Sequence, residues 1–355
     1  MKKFRNIAII VLVLIIVVII TLSITFSVNI SPVDKNDKTQ IEVVIPSGTT
    51  KKGVGKILEE KGLIRSSKFF EIYVKLFKVG DIKATKYSLS KDMDLKEIIS
   101  ILEKGNSYNP EQVKITFKEG INIRMLASII EENTSNSADD VINLLNNEKY
   151  LDELIEKYWF ITEDVKNNKL YYSLEGYLFP DTYYFANKDV TVKEIFAKML
   201  DKMQTVLDEY KEKIEKSDYS VHEILTLASI IEKEGKNEDF KDISSVFYNR
   251  LNKKMSLGSC ATAYYGMKMD FDEIGVATSA MMNDKNDYNT YVLDKLPVGA
   301  ISLPGKGAID AAINPNDTEN LYFISDNTGK TYFFKTYKEQ QAKKQQLQRE
   351  NKWNR

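Results

Sequence analysis

The sequence predicts an α+β protein: a single N-terminal transmembrane helix, a small α/β module, and a mostly helical domain with a small β-hairpin. Three observations predict it. An uncharged apolar run fills Ile7–Val28. Residues 40–90 alternate in the order strand, helix, helix, strand. From there the apolar residues recur at helical spacing, until a turn signal appears at Asp326-Asn327-Thr328-Gly329.

The apolar run comes first. At 1.5 Å per residue its 22 residues reach about 33 Å, against a hydrocarbon core of about 30 Å. Lys2, Lys3 and Arg5 precede it, and no acidic residue occurs before Asp34. The positive-inside rule then leaves residues 1–6 in the cytoplasm and everything from about residue 30 outside. The run exceeds the apolar core of a cleaved signal peptide, and no small-residue cleavage site follows it. The expectation is an uncleaved single-pass anchor in the cell membrane, followed by a polar linker at 29–39.

The small module is expected over 40–118. Gln40–Pro46 (QIEVVIP) and Lys83–Ser90 (KATKYSLS) read as strands. Thr49–Lys61 and Ser66–Lys78 read as amphipathic helices between them, the second begun by a serine N-cap. A further helix at Asp94–Glu103 and a strand at Val113–Phe117 complete it. Residues 119–160 read as a helical connection, and 161–355 as a second, larger domain. Within that domain Glu175–Phe185 (EGYLFPDTYYF) is unusually aromatic, as core packing or as a surface for sugar stacking.

Composition excludes several chemistries. There are 50 basic and 51 acidic residues, a formal charge of −1, so there is no electrostatic footprint for nucleic acid. The single cysteine (Cys260) excludes an internal disulfide. With the single histidine (His222) it also speaks against a structural zinc site, which wants four Cys/His ligands. No G-x-S-x-G elbow is present. No cofactor is expected.

One helix draws attention. Ser220-Val-His-Glu223 fits the S-x-x-E capping box, apolar residues follow from Val221 to Ile231, and Gly235 closes the segment. Glu232 and Glu234 fall in its last turn, on opposite edges of the apolar face. Carboxylates are disfavoured at the negative end of a helix dipole. A carboxyl beside apolar surface suits a proton donor. The pattern alone leaves solvation and catalysis both open.

The surrounding motifs add to this. LASIIEKEG (Leu227–Gly235), SVFYNRL (Ser245–Leu251), YYG (Tyr264–Gly266), YNTY (Tyr288–Tyr291) and LPVGAISLPG (Leu296–Gly305) follow in that order, with EGYLFPDTYYF before them and NLYFISD after. Over about residues 40–336 the chain resembles the endolytic murein transglycosylase family (MltG/YceG-like). The resemblance implies one membrane helix, a LysM-like module and a lytic-transglycosylase-like catalytic domain. It implies cleavage of nascent peptidoglycan between MurNAc and GlcNAc to leave 1,6-anhydroMurNAc ends, which terminates strand elongation near peptidoglycan synthases. It implies that the second glutamate of E-K-E, Glu234, is the catalytic residue. Tyr288, Asn289 and Tyr291 of YNTY are candidates for positioning the sugar. Asn249 and Arg250 read as structural, and Glu175 as a candidate second carboxylate or a packing residue. Where many relatives carry Q-T/S-D-P-T, this chain has Gly258-Ser259-Cys260-Ala261-Thr262, without the Asp and Pro. Two other readings remain: a non-catalytic wall-binding scaffold, and a water-using muramidase with a second carboxylate among Glu175, Asp270, Asp272 and Glu273.

Overall fold

The strand-helix-helix-strand pattern folds locally into an antiparallel pair with two helices between its strands. In the computed structural model, which describes residues 2–105, 112–269 and 278–353, β1 (Ile41–Val44) pairs with β2 (Lys86–Leu89), Ile41 opposite Leu89 and Val44 opposite Lys86. An N-terminal helix, α1 (Lys2–Ile30), precedes them, and α2 (Lys51–Glu60) and α3 (Ser67–Leu76) lie between the strands in the chain. The Thr50 side chain caps α2 by accepting from Gly53 N–H. Next comes α4 (Leu95–Lys104), opened by an Asp94/Glu97 capping box and closed by Gly105 at φ +67°. Val43, Val54, Leu58, Phe70, Leu89, Ile98 and Leu102 bury their side chains together as the core. The chain divides into two compact units, Met1–Gln112 and Val113–Arg355, and this core belongs to the first.

The predicted transmembrane helix over 7–28 is corrected by the structure. Among the described residues, no helix is long and apolar enough to cross a membrane. The described side chains of α1 are those of 14, 16–18 and 20–30, short of the roughly 20 consecutive apolar residues that a span requires. The remaining positions of the predicted run lie outside the described residues. Polar side chains also interrupt the described stretch. Thr21 and Thr25 return their hydroxyls to carbonyls one turn back, at 2.8 Å each. At its end Phe26 stacks on Tyr73 with ring centroids 6.3 Å apart, and Phe26 and Ile30 pack on the core of the first unit.

The second unit begins with β3 (Val113–Thr116), which pairs antiparallel with β4 (Thr182–Phe185). Between them run α5 (Ile123–Asn133), α6 (Ala138–Leu145) and α7 (Glu148–Lys157). Next along the chain are α8 (Val192–Asp208), the short α9 (Lys211–Glu215), α10 (Val221–Glu234) and α11 (Phe240–Asn252). The aromatic run at 175–185 is mostly core, with Tyr177, Leu178, Phe179, Tyr183 and Phe185 buried. Gly176 there has φ +85°, and a Cβ on it would fall 2.4 Å from that of Ala300.

α10 starts at the Ser220/Glu223 capping box. All eight residues from Ile224 to Ile231 are buried, Thr226 and Ser229 included. The helix is therefore enclosed on every side, where the sequence suggested a wide apolar face. Ser229 meets this enclosure with hydrogen bonds: its hydroxyl donates to Thr226 O (2.7 Å) and accepts from Ile301 N–H (3.0 Å). The remaining elements are α12 (Cys260–Gly266), α13 (Ser279–Asn283), α14 (Lys306–Ile313), which packs against α10 and α11, and the hairpin β5 (Tyr322–Ser325) with β6 (Thr331–Phe334). Asp326 accepts from Thr328 N–H and Lys330 N–H across the hairpin turn, and α15 (Tyr337–Arg349) follows.

Candidate active site

The last turn of α10 spreads three consecutive side chains to three different partners. Glu232 accepts from Gly305 N–H (3.0 Å) in front of α14. Burial raises its pKa, opposed by that bond. Lys233 donates to the Gly120 carbonyl (3.2 Å). Glu234 accepts a short hydrogen bond from the Ser259 hydroxyl. Gly235 ends the helix in extended backbone. A Cβ there would lie 2.4 Å from Ile243 Cδ1, so a side chain would require the Ile243 side chain to move.

Ser259 is itself fixed. It is buried and stands at the N-cap position of α12. Its N–H donates to Thr290 Oγ1 (3.0 Å), and Thr290 Oγ1 also meets Thr262 Oγ1 at 2.8 Å. Gly258 N–H donates to Thr290 O (3.0 Å). The YNTY segment thus docks on residues 258–262 and holds the group that orients Glu234.

Arg250 completes this wall. Its guanidinium donates to Leu321 O (2.7 Å) and Leu257 O (2.7 Å) and lies over the Tyr322 ring, 5.2 Å from the centroid. Burial lowers its pKa, while Tyr322 and the Glu234 carboxylate act in the opposite sense. A cleft of about 240 Å³ opens here, lined by Glu234, Arg250, Ser259, Cys260, Phe323, Gln340 and Trp353 among others. A second cleft, of about 230 Å³, also has Lys233 in its lining.

The other residues singled out in the sequence sit as follows. Tyr291 is at the edge of this site, its hydroxyl 3.0 Å from Cys260 Sγ, and burial raises its pKa. Asn289 is buried. Its amide donates to Met281 O (3.1 Å), Met282 O (3.2 Å) and Asp284 O (2.7 Å), and its Oδ1 accepts from Tyr291 N–H (3.1 Å). Tyr288 is buried too, and its hydroxyl accepts from Tyr171 N–H (3.1 Å). Both are turned inward, and they build the segment that carries Thr290 and Tyr291. Asn249 donates to Thr318 O (2.7 Å) and Asn320 O (3.0 Å), which fastens α11 to the chain entering β5.

Glu175 is buried and spans two segments. Its carboxylate accepts from Ile123 N–H (3.2 and 3.1 Å) at the start of α5 and from the Tyr265 hydroxyl (2.9 Å) in α12. Burial pushes its pKa up to about 8, against those bonds and the charge of Arg124. Asp270, Asp272 and Glu273 lie outside the described residues. Sequence reasoning missed Ser259, Lys233 and Trp353 as parts of the two clefts, and Thr290 as the residue that fixes Ser259. Ser259 carries a local signal, a serine in front of a short helix, and Lys233 is the chain neighbour of Glu234; Thr290 and Trp353 come in only through tertiary packing.

A carboxyl on a cleft wall, oriented by one hydroxyl and facing a fixed guanidinium, can hand a proton to a bridging oxygen and take one back. Among the described residues, no group of His, Cys, Asp and Glu is arranged to hold a metal ion.

Comparison with known proteins found a matching family and several relatives. The YceG-like family matches residues 43–346. A Bacillus subtilis protein named endolytic murein transglycosylase is 35% identical over 318 residues, 89% of this chain and 87% of that protein. A Streptococcus pneumoniae protein of the same name is 33% identical over 86% of this chain, which spans 58% of that longer protein. The crystal structure of a YceG-like protein from Listeria monocytogenes superposes with a TM-score of 0.62 at 33% identity, over 86% of this chain and 100% of that one.

Proposed function

The chain belongs to the YceG-like family, and from that premise we propose that it is an endolytic murein transglycosylase, a lyase, with Glu234 as its acid/base. Glu234 protonates the oxygen linking MurNAc C1 to the departing GlcNAc. The MurNAc 6-hydroxyl then closes on C1 and gives its proton to the same carboxylate. One C–O bond breaks and one forms, no water is consumed, and the product ends in 1,6-anhydroMurNAc. Ordinary glycosidases need a second carboxylate to activate water or to attack the sugar; here the substrate supplies the nucleophile. Ser259 holds the carboxyl in orientation, and Arg250 supplies positive charge beside it.

The observation that carries this reading is the Ser259–Glu234 hydrogen bond on the wall of a cleft in a chain with relatives of this name. The function further implies work on nascent strands outside the cytoplasmic membrane, close to the synthases that make them. The strand-helix-helix-strand order of the first unit supports a LysM-like role in holding glycan.

The test is the full chain on uncrosslinked glycan strands, as wild type, Glu234→Gln and Glu232→Gln, with products read by mass spectrometry. Anhydro ends, lighter by one water than reducing ends, are expected from wild type and Glu232→Gln, with a loss of at least about 100-fold for Glu234→Gln. Hydrated reducing ends would make the protein a muramidase. Absence of cleavage by wild type would favour a glycan-holding scaffold.

A further inference from the structure

We propose that the second cleft, which shares Lys233 with the Glu234 cleft, binds the peptide stem carried by the sugar whose bond is cut. The inference rests on the reading of Glu234 given above. Lys233 lines both clefts. So does α12, whose adjacent residues Cys260 and Ala261 line one cleft each. A ligand with its scissile bond at Glu234 therefore has the second cleft as its immediate neighbour.

The two linings differ in chemistry. The Glu234 cleft offers Arg250, Ser259, Gln340 and an indole, Trp353, which suit the hydroxyls and faces of sugar rings. The second cleft has Met125, Ala261, Met269 and Ile301 as apolar lining and two ammonium groups, Lys118 and Lys233, with one carboxylate, Glu119. Its two aromatic rings, Tyr264 and Tyr265, are both buried. That leaves a poor platform for a sugar. A short peptide with small apolar side chains and free carboxylates matches the lining: methyl groups against methionine and isoleucine, carboxylates toward the lysines. Thioether side chains adapt to such irregular apolar shapes.

The experiment measures binding, so it does not require cleavage. Full-length Glu234→Gln protein is titrated calorimetrically with a GlcNAc–MurNAc disaccharide that bears its peptide, and with the same disaccharide after the peptide is removed. The stem is expected to strengthen binding at least about tenfold, which is about 1.4 kcal/mol. Adding Met125→Glu or Lys118→Glu should reduce that ratio at least fivefold. Both positions are at least partly exposed, and circular dichroism checks that each variant is folded. Equal affinity for the two ligands, no binding of either, or an equal loss for both in the variants would overturn the proposal. If the stem preference is found and responds to the variants while wild type cuts no strand, the assignment of Glu234 fails and this one stands.

Discussion

Ser259 and Glu234 are 25 residues apart in the chain, and one hydrogen bond joins them. Ser259→Ala removes the donor without changing the cleft's other walls. We expect kcat to fall about 10- to 100-fold with KM within about twofold, since the loss falls on orientation in the transition state. Steady-state kinetics on strands of defined length checks this, and an equal rise in KM would argue for a binding role instead. Glu175 gives a second prediction at this scale. Its pKa is about 8 in the folded chain, against an ordinary value of 4.5. Between those values the folded chain keeps a proton that the unfolded chain has released. Stability therefore falls as pH rises from about 4.5 to about 8 and levels off above. Glu175→Gln should flatten that part of the profile, as read from urea midpoints at pH 5, 6.5 and 8. An unchanged slope would assign it to other groups. The spacing of Glu175 in the sequence left a cleft role open; its depth and its bonds to Ile123 and Tyr265 were not legible, because they join segments distant in the chain.

At the scale of elements, α10 carries the argument. Its start was readable, because the capping box is a local rule that uses residues 220 and 223 alone. Its enclosure was not, because Thr226 and Ser229 look like solvent-side residues until Ile301 and Ser302 arrive from elsewhere in the chain. Ser229→Val leaves the Ile301 N–H without its acceptor and should cost about 1–3 kcal/mol in equilibrium unfolding. A cost near zero would mean that the 300–303 segment finds another acceptor. α12 was missed entirely: it has only seven residues, too few for a period to show, and it is stabilised by Thr290 rather than by its own composition. The apolar run at 7–28 failed in the opposite way. Composition suggested a span, whereas the stretch of α1 with described side chains is short, interrupted by threonines, and engaged through Phe26 and Ile30 with the first unit's core.

At the scale of the whole molecule, the division at residues 112 and 113 assigns every residue named in the two clefts to the second unit. The two cores share no residue. Residues 113–355 expressed alone should therefore fold cooperatively and retain cleavage of short strands, as checked by thermal unfolding and product mass. If that piece is unfolded, the first unit is part of the stable fold. The sequence showed the order of elements from β1 to α4 and the motif block but placed β3 with the small module, because strand pairing cannot be read from a strand alone; β3 finds its partner, β4, in the second unit. The order in which the cleft is assembled has a consequence of its own. Glu234, the acid proposed above, lies on α10, yet part of the cleft's lining comes from Phe323 of β5, Gln340 of α15 and Trp353 beyond it. Ribosomal synthesis runs from the amino end, so a growing chain acquires the Glu234 carboxyl well before it acquires the rest of the cleft's lining. The cleft is complete only once the chain has been made as far as Trp353, so a shorter chain carries the carboxyl without all of the walls around it.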